Sequence, residues 1–360
     1  MNDRIRVIVF GIGFGQFYLG GILKLNKKFK LVGIFSKGSE LSKKYAKLNN
    51  VPLYTDINKI NKNIADMACV VIKSTVVGGE GTNIAKKLLK KGIHVLQEQP
   101  IHLEDYLDCI KLAKKYNCKY QLNTFYPNLK PISGFINIAK NIAKKCKIVY
   151  INAECSIHVL FPMIDILGKA LNGLYPWKFK LLRKANKNIP FCIVDGSINN
   201  IPICMNIQNQ IEPYNSENYM YLLHRISITT NCGNLILTGS NGMVIWEPCI
   251  SRHKNKYDLS YNEKMDKFLD LPIYEIYDFF PPVLYRKLYD EIWEESIKIS
   301  LETFYTELKN KKYINEATQL IIDVCRVWKT LGLEVGKSIL IDGYIKKPLK
   351  LSDIINGKMQ

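Results

Sequence analysis

Arg6-Val-Ile-Val-Phe10, then Gly11-Ile12-Gly13-Phe14-Gly15-Gln16, and further on Leu31-Val-Gly-Ile-Phe-Ser36-Lys37-Gly38-Ser39 are the stretches that decide how this chain is read. An apolar, β-branched run feeds directly into a glycine-rich turn, and a helical pattern starts at Phe14. A dinucleotide site needs that order. The first glycine makes the tight turn, the second lets backbone approach a pyrophosphate, and the helix N-terminus faces the anion. The third glycine of the usual GxGxxG string is missing: Gln16 stands there, with Gly15 one place early. Gly11, Ile12, Gly13, Phe14 and Gly15 are the candidate cradle. The second strand bears on which nucleotide binds. An acid at its end would accept from a ribose 2′-hydroxyl; this chain has Ser36, Lys37 and Ser39, with no acid before Glu40. One cation and two hydroxyls suit a 2′-phosphate that a carboxylate would repel. The expected cofactor is NADPH.

The chain has 360 residues, enough for two domains, and 47% of them are hydrophobic, so a sizeable core can be buried. No apolar run approaches the roughly 20 residues that span a bilayer. Asp3 near the start, and an apolar run that ends in the glycine loop, argue against a signal peptide. A cytoplasmic protein is expected. Ten cysteines are scattered singly, without CxxC pairs or zinc spacing, so neither a disulfide framework nor a metal site is expected. The net charge of +19 is the outlier. Its lysines fall on expected helix faces (Lys86, Lys87, Lys90, Lys91; Lys111, Lys114, Lys115) rather than in one block with aromatics between them. A nucleic-acid partner is therefore not expected, while an acidic protein partner stays open.

Alternating apolar runs and helical patterns fill residues 5 to 123, with strands expected at 5–10, 30–35, 67–73, 93–97 and 119–122. Helices are expected between them at 14–26, 38–48, 79–91 and 102–116. That alternation predicts a doubly wound parallel sheet whose ligands lie beyond the carboxyl ends of its strands. Those ends carry Gly11–Gln16, Ser36–Ser39, Lys73-Ser74-Thr75, Glu98-Gln99-Pro100 and Asn123–Tyr126. Beyond 127 the pattern changes. A helix at 127–143, a strand at 147–156 and a helix around Phe161–Leu171 precede short strands near 191–194, 203–208, 221–230, 235–238 and 243–247. Two long helices follow, at 283–310 and 315–335. The expected fold is α/β: a Rossmann domain over 1–125, then an α+β domain with a mainly antiparallel sheet over 126–360.

This arrangement resembles the glucose–fructose oxidoreductase and inositol dehydrogenase superfamily. That superfamily usually has Glu-Lys-Pro where this chain has Glu98-Gln99-Pro100. Its Asp-x-Gly-x-His-x-x-Asp motif aligns with His158 through Asp165, placing His158 at the Asp and Pro162 at the His. The three residues such sugar dehydrogenases use for proton transfer are thus replaced, although a hydroxyl oxidation needs a base. Gly13-Phe-Gly-Gln-Phe-Tyr-Leu19, Cys69-Val-Val-Ile-Lys-Ser74, Gly78-Gly-Glu-Gly-Thr82, Gly92-Ile-His-Val-Leu-Gln-Glu98, Leu122-Asn-Thr-Phe-Tyr126 and Asp165–Trp177 together resemble the thiazolinyl imine reductases of siderophore assembly lines. The resemblance implies NADPH-dependent reduction of a thiazoline to a thiazolidine. The substrate would be tethered by phosphopantetheine to a carrier domain of a nonribosomal peptide synthetase.

The resemblance also implies proton donors at the Glu-x-Pro position, where Gln99 stands instead of His, and at Tyr126, which matches. His102 is a substitute candidate, although a His at a helix start is more often a surface residue. Ser74, Thr75, Glu98 and Gln99 are expected near the nicotinamide. Gly79, Gly81, Tyr126 and His158 are expected near the substrate; the glycines suit a plain helix-entry loop equally well, and His158 an ordinary hydrogen-bonded His. Two other functions stay open: an imine or carbonyl reductase acting on a free small molecule, and a non-catalytic dinucleotide sensor. A homodimer is expected.

Overall fold

A computed structural model describes residues 4–74, 79–213, 220–250, 271–278, 282–309, 315–341 and 348–355. The first sheet is built from β1 (Ile5–Phe10), β2 (Phe29–Phe35), β3 (Leu53–Tyr54), β4 (Met67–Val70), β5 (His94–Glu98) and β6 (Tyr120–Asn123), in the order β3-β2-β1-β4-β5-β6. Every pair in it is parallel. The helices α1 (Gly15–Lys24), α2 (Glu40–Leu48), α3 (Gly81–Lys90) and α4 (Leu103–Lys115) supply the crossovers. Strands covered on both faces read as continuous apolar runs, and Val7–Phe10 and Met67–Val70 are buried throughout. The strand order reverses at β1/β4, which places the crevice for a ligand at the ends of β1 and β4.

Past α5 (Lys130–Ile142) a second sheet begins with β7 (Ile148–Ser156). After α6 (Leu160–Ala170) it continues through β8 (Trp177–Arg183), β9 (Phe191–Ile198) and β10 (Ile201–Gln208). A two-residue strand, β11 (Gln210–Ile211), leaves the sheet. It resumes with β12 (His224–Thr230), β13 (Gly233–Leu237), β14 (Val244–Pro248) and β15 (Glu275–Tyr277). The order is β15-β14-β13-β12-β7-β10-β9-β8, antiparallel except where β10 runs parallel to β7. β8, absent from the expected strands, is the sheet's edge. Its Trp177-Lys-Phe-Lys-Leu-Leu-Arg183 run leaves only Phe179 buried, so hydrophobic periodicity hardly marks it.

The last quarter of the chain returns to the first. A short helix α7 (Tyr285–Lys287) passes through a π turn at Leu288–Ile292 into α8 (Trp293–Lys309), followed by α9 (Asn315–Val335). α8 packs along α1 at a pair of glycines. A Cβ on Gly21 would lie 3.0 Å from Ile297 Cγ2 and 3.2 Å from Leu301 Cδ1, and one on Gly20 would overlap Glu294. Beyond α9, β16 (Ile339–Leu340) pairs with β11, and α10 (Leu351–Ile355) follows. Buried apolar residues from both sheets form one contiguous core.

One expectation is corrected: Cys146 and Cys232 form a disulfide with Cα atoms 6.1 Å apart. Spacing hid it, because the pair is separated by 86 residues and meets only where β7 starts beside the β12–β13 turn. Lys147 and Asn231 exchange backbone and side-chain hydrogen bonds at the same point. Among the described residues no helix is long and apolar enough to cross a membrane, and no group of three or more His, Cys, Asp or Glu could hold a metal ion.

Candidate active site

The glycine loop joins β1 to α1. Gly11 has φ +88°, its N–H donates to Phe35 O at 2.9 Å, and a Cβ there would lie 2.7 Å from Val71 O. Glycine is required at that position. Gly13 is the opposite case: a Cβ would meet nothing within 4 Å, so the space beyond its backbone is open. Gly15 lets α1 approach β1, with its Cβ position 3.3 Å from Val9 Cγ1. It thereby does the packing normally done by the missing third glycine. Gln16 braces the loop instead, donating to Gly13 O at 3.0 Å and accepting from the Tyr45 hydroxyl at 2.8 Å. Ile12 is buried, and the Phe14 ring packs on Phe17, Phe125 and Trp293. α1 has neither a capping side chain nor an acid in its first turn; the N–H groups of Gln16 and Phe17 donate to Ile12 O and Phe14 O, and no carboxylate opposes an anion at the remaining N-terminal N–H groups.

At the end of β2 both serines shape the backbone. Ser36 Oγ accepts from Gly38 N at 3.0 Å, and Ser39 Oγ caps α2 by accepting from Ser42 N at 3.3 Å. Lys37 is exposed and has no partner among the described residues. Its ammonium is the group at this strand end free to meet a phosphate.

The next part of the site is assembled from the ends of β4, β5 and β6. Ser74 Oγ donates to Pro100 O at 2.9 Å, tying the end of β4 to the turn after β5. Gly79 and Gly81 sit where any Cβ would run into the Ile72–Lys73 carbonyls, which explains both glycines by close approach. Thr75 and Gly78 lie outside the described residues. Glu98 ends β5 directly opposite Asn123 of β6. Its Oε2 accepts from the Tyr18 hydroxyl at 2.5 Å and from Asn123 Nδ2 at 3.0 Å. Burial pushes this carboxyl up to about 8, with the hydrogen bonds from Tyr18, Asn123 and the Gln99 backbone N–H pulling the other way. Gln99 Oε1 is buried and finds no hydrogen-bond partner among the described residues. Such an orphaned acceptor costs free energy unless a ligand donor meets it, and a carboxamide N–H₂ is such a donor.

Tyr126 stands on an unusual turn. Phe125 has φ +58° and ψ −63°, the strained hand of the γ-turn, and Tyr126 N donates to Thr124 O at 2.7 Å across it. Phe125 N donates to Asn123 Oδ1, and Phe125 O accepts from Ser296 Oγ of α8 at 3.0 Å. On the other side Thr124 donates at 2.5 Å to Asp165, a fully buried carboxylate that also pairs with Lys169. The Tyr126 ring meets His224 edge-on at 4.6 Å. No described residue bonds its hydroxyl, whose pKa is raised by burial and then by Glu98. His224, missed in the sequence, contacts the carbonyl of Val159 through Nε2 and the Ser240 hydroxyl through Nδ1. A carbonyl only accepts, so Nε2 carries the proton and Nδ1 accepts. Burial holds its pKa down at about 4. It is a neutral buttress for Tyr126.

The structure therefore brings together Glu98, Gln99 and Tyr126 at adjoining strand ends. His158 lies half-buried in the turn before α6. His102 is not part of the cluster: it is exposed at the start of α4, with its ring 5.3 Å from that of Trp328 on α9.

A family model for oxidoreductases with an NAD-binding Rossmann fold matches residues 5–124, and one described as thiazolinyl imine reductase Irp3-like, C-terminal, matches residues 146–247. Among solved structures, an oxidoreductase from Thermotoga maritima is similar over 94% of this chain and 98% of its own, at 13% identity and TM-score 0.65. UDP-N-acetylglucosamine 3-dehydrogenase from Acidithiobacillus ferrooxidans is similar over 92% and 98%, at 11% identity and TM-score 0.63. The WlbA dehydrogenase from Bordetella pertussis, in complex with NADH and UDP-GlcNAcA, is similar over 92% and 96%, at 12% identity and TM-score 0.64. At these identities the likeness is one of fold. No curated protein sequence matches the chain.

Proposed function

Residues 5–124 belong to the oxidoreductase family with an NAD-binding Rossmann fold and residues 146–247 to the thiazolinyl imine reductase C-terminal family, and from that premise we propose that the chain is an NADPH-dependent reductase of a cyclic C=N bond. The substrate in this reading is a thiazoline, reduced to a thiazolidine while tethered to a carrier domain of a nonribosomal peptide synthetase during siderophore assembly. The enzyme works in the cytoplasm as a homodimer. The observation that carries the reading is the Tyr126 hydroxyl, unbonded among the described residues and next to a Glu-x-Pro turn whose middle residue, Gln99, cannot serve as a base.

The bound reduced nicotinamide would supply a hydride to the C=N carbon. Everything else falls to side chains. The Gly11–Gly15 loop and the α1 N-terminus would hold the pyrophosphate, and Lys37 would pair with a 2′-phosphate. Gln99 Oε1, buried without a partner among the described residues, would accept from the carboxamide of the bound nicotinamide. Tyr126 holds its proton at the ring nitrogen. An imine nitrogen is more basic than a carbonyl oxygen, so one placed donor suffices where alcohol chemistry needs a base.

The test is oxidation of NADPH with a synthetic 2-substituted thiazoline thioester, with the product identified by mass as two hydrogens heavier. Turnover of free sugars or ketones in preference to the thiazoline would overturn the reading.

A further inference from the structure

Glu98 is a carboxyl without a counter-ion. Its two side-chain donors, Tyr18 and Asn123, converge on Oε2, and the backbone N–H of Gln99 is the one other donor to the carboxyl. No Lys, Arg or His among the described residues pairs with it. The titratable groups around it are Tyr18 from α1, Cys69 of β4 beyond Tyr18, and Tyr126 from the turn after β6. Burial raises the pKa of each of those three, so each is neutral near pH 7. Glu98 is half-buried, so an ionised carboxylate there has lost part of its hydration without gaining a cation, and holding a proton is the cheaper state. The neighbouring position, where a basic residue would have reversed this, is Gln99. Tyr18 cannot pass a proton on toward solvent, because it is fully buried and its hydroxyl is held between Glu98 and Asn123. Glu98 lies at the strand ends, where Asn123, its partner across β5 and β6, is three residues from Tyr126, and Glu98 acts electrostatically on the Tyr126 hydroxyl.

We propose that Glu98 is the proton store of the reaction, resting as the neutral acid with its proton on Oε1. This rests on the reading above. As the ring nitrogen takes the Tyr126 proton, the Glu98 O–H bond breaks and its proton re-forms the Tyr126 O–H, directly or through one water. The electron pair arrives with the hydride, so no further oxidant or reductant is involved. Glu98 is left as the carboxylate, stabilised by Tyr18 and Asn123, and takes up a proton from solvent before the next turnover. The alternative, a Tyr126 phenolate left beside Glu98, is opposed by the partial desolvation of both groups and by the absence of a cation paired with Glu98 among the described residues.

The test separates this from the substrate assignment by reading the carboxyl itself. In the protein without substrate, a difference infrared titration of wild type against Glu98→Gln should show one protonated-carboxyl stretch at pH 7 that disappears near pH 8. With thiazoline thioester, kcat of the wild type should fall as pH rises through the same value. Glu98→Gln should lose about 10²-fold in kcat and lose that limb of the profile, while NADPH affinity changes less than about threefold. Tyr18→Phe removes a donor that favours the ionised form, so both the infrared midpoint and the kinetic limb should move upward together. A carboxyl ionised at pH 7, or a Glu98→Gln enzyme with wild-type kcat and profile, overturns the proposal and leaves the thiazoline reading untouched. Failure of every thiazoline to react would strike that reading while the infrared result still stood.

Discussion

Tyr126→Phe removes one hydroxyl and leaves the ring against His224 and Phe125. Thiazoline turnover should fall by roughly 10²–10⁴ while NADPH affinity, read by fluorescence titration, holds. A Phe variant as fast as wild type at every pH would make Tyr126 a packing residue and water the acid. Lys37→Ala probes the other end of the cofactor. The wild type should bind NADPH at least about tenfold tighter than NADH, about 1.4 kcal/mol. The Ala variant should lose that margin with little change for NADH; equal affinities in the wild type would refute the 2′-phosphate assignment. Lys37 is the cleaner substitution, because Ser39 caps α2 and its loss would cost stability as well. Tyr126, Glu98 and Gln99 could be picked out beforehand from their places after strands. The Phe125 turn could not: nothing about a phenylalanine announces φ +58°, which Asn123 at the end of β6, Thr124 beside it and Ser296 of α8 impose. His224 was equally hidden, since it reaches Tyr126 only through the pairing of β12 with β7.

Glycines in and around α1 make separable predictions for that element. Gly13→Ala meets open space, so apo stability should stay within about 0.5 kcal/mol, while NADPH affinity drops as the methyl intrudes on the pyrophosphate. Gly21→Ala meets Ile297, Leu301 and the backbone of α8, so it should cost about 1–3 kcal/mol of stability, seen as a lower Tm without cofactor. The reverse pattern would mean that Gly13 is a packing glycine and that the contact of Gly21 with α8 is loose. Elements with a strong period were legible: the parallel strands as apolar runs, the long helices by their stripes. β4 ends at Val70 rather than 73 because the chain there turns to meet Gly81, whose N–H donates to Lys73 O. The parallel pairing of β7 and β10 in an otherwise antiparallel sheet is a matter of topology, which periodicity does not encode.

Over the whole molecule, the Cys146–Cys232 bond closes a loop spanning most of the second sheet. Replacing both cysteines with serine should cost about 2–4 kcal/mol, measured by denaturant unfolding under oxidising conditions; an unchanged midpoint would mean that the bond is not formed in solution. The charge of +19 belongs to this scale too. If it steers an acidic carrier domain, turnover of carrier-bound thiazoline should fall with added salt, because such attraction is screened over about 8–10 Å. A short soluble thioester should show no such fall. Equal salt dependence would leave the charge without that role. The seam between α1 and α8 also ties the site to the order of synthesis. Gly20 and Gly21 emerge from the ribosome early, but Glu294 and Ile297, against which they fit, are translated on the order of tens of seconds later. Ser296, which holds the turn under Tyr126, comes from the same late segment. A nascent chain can therefore lay down its first sheet while both ends of the cofactor site wait for their brace. Ribosome-stalled chains ending before 282 should accordingly bind NADPH poorly, and affinity should rise sharply once the segment through 309 is exposed.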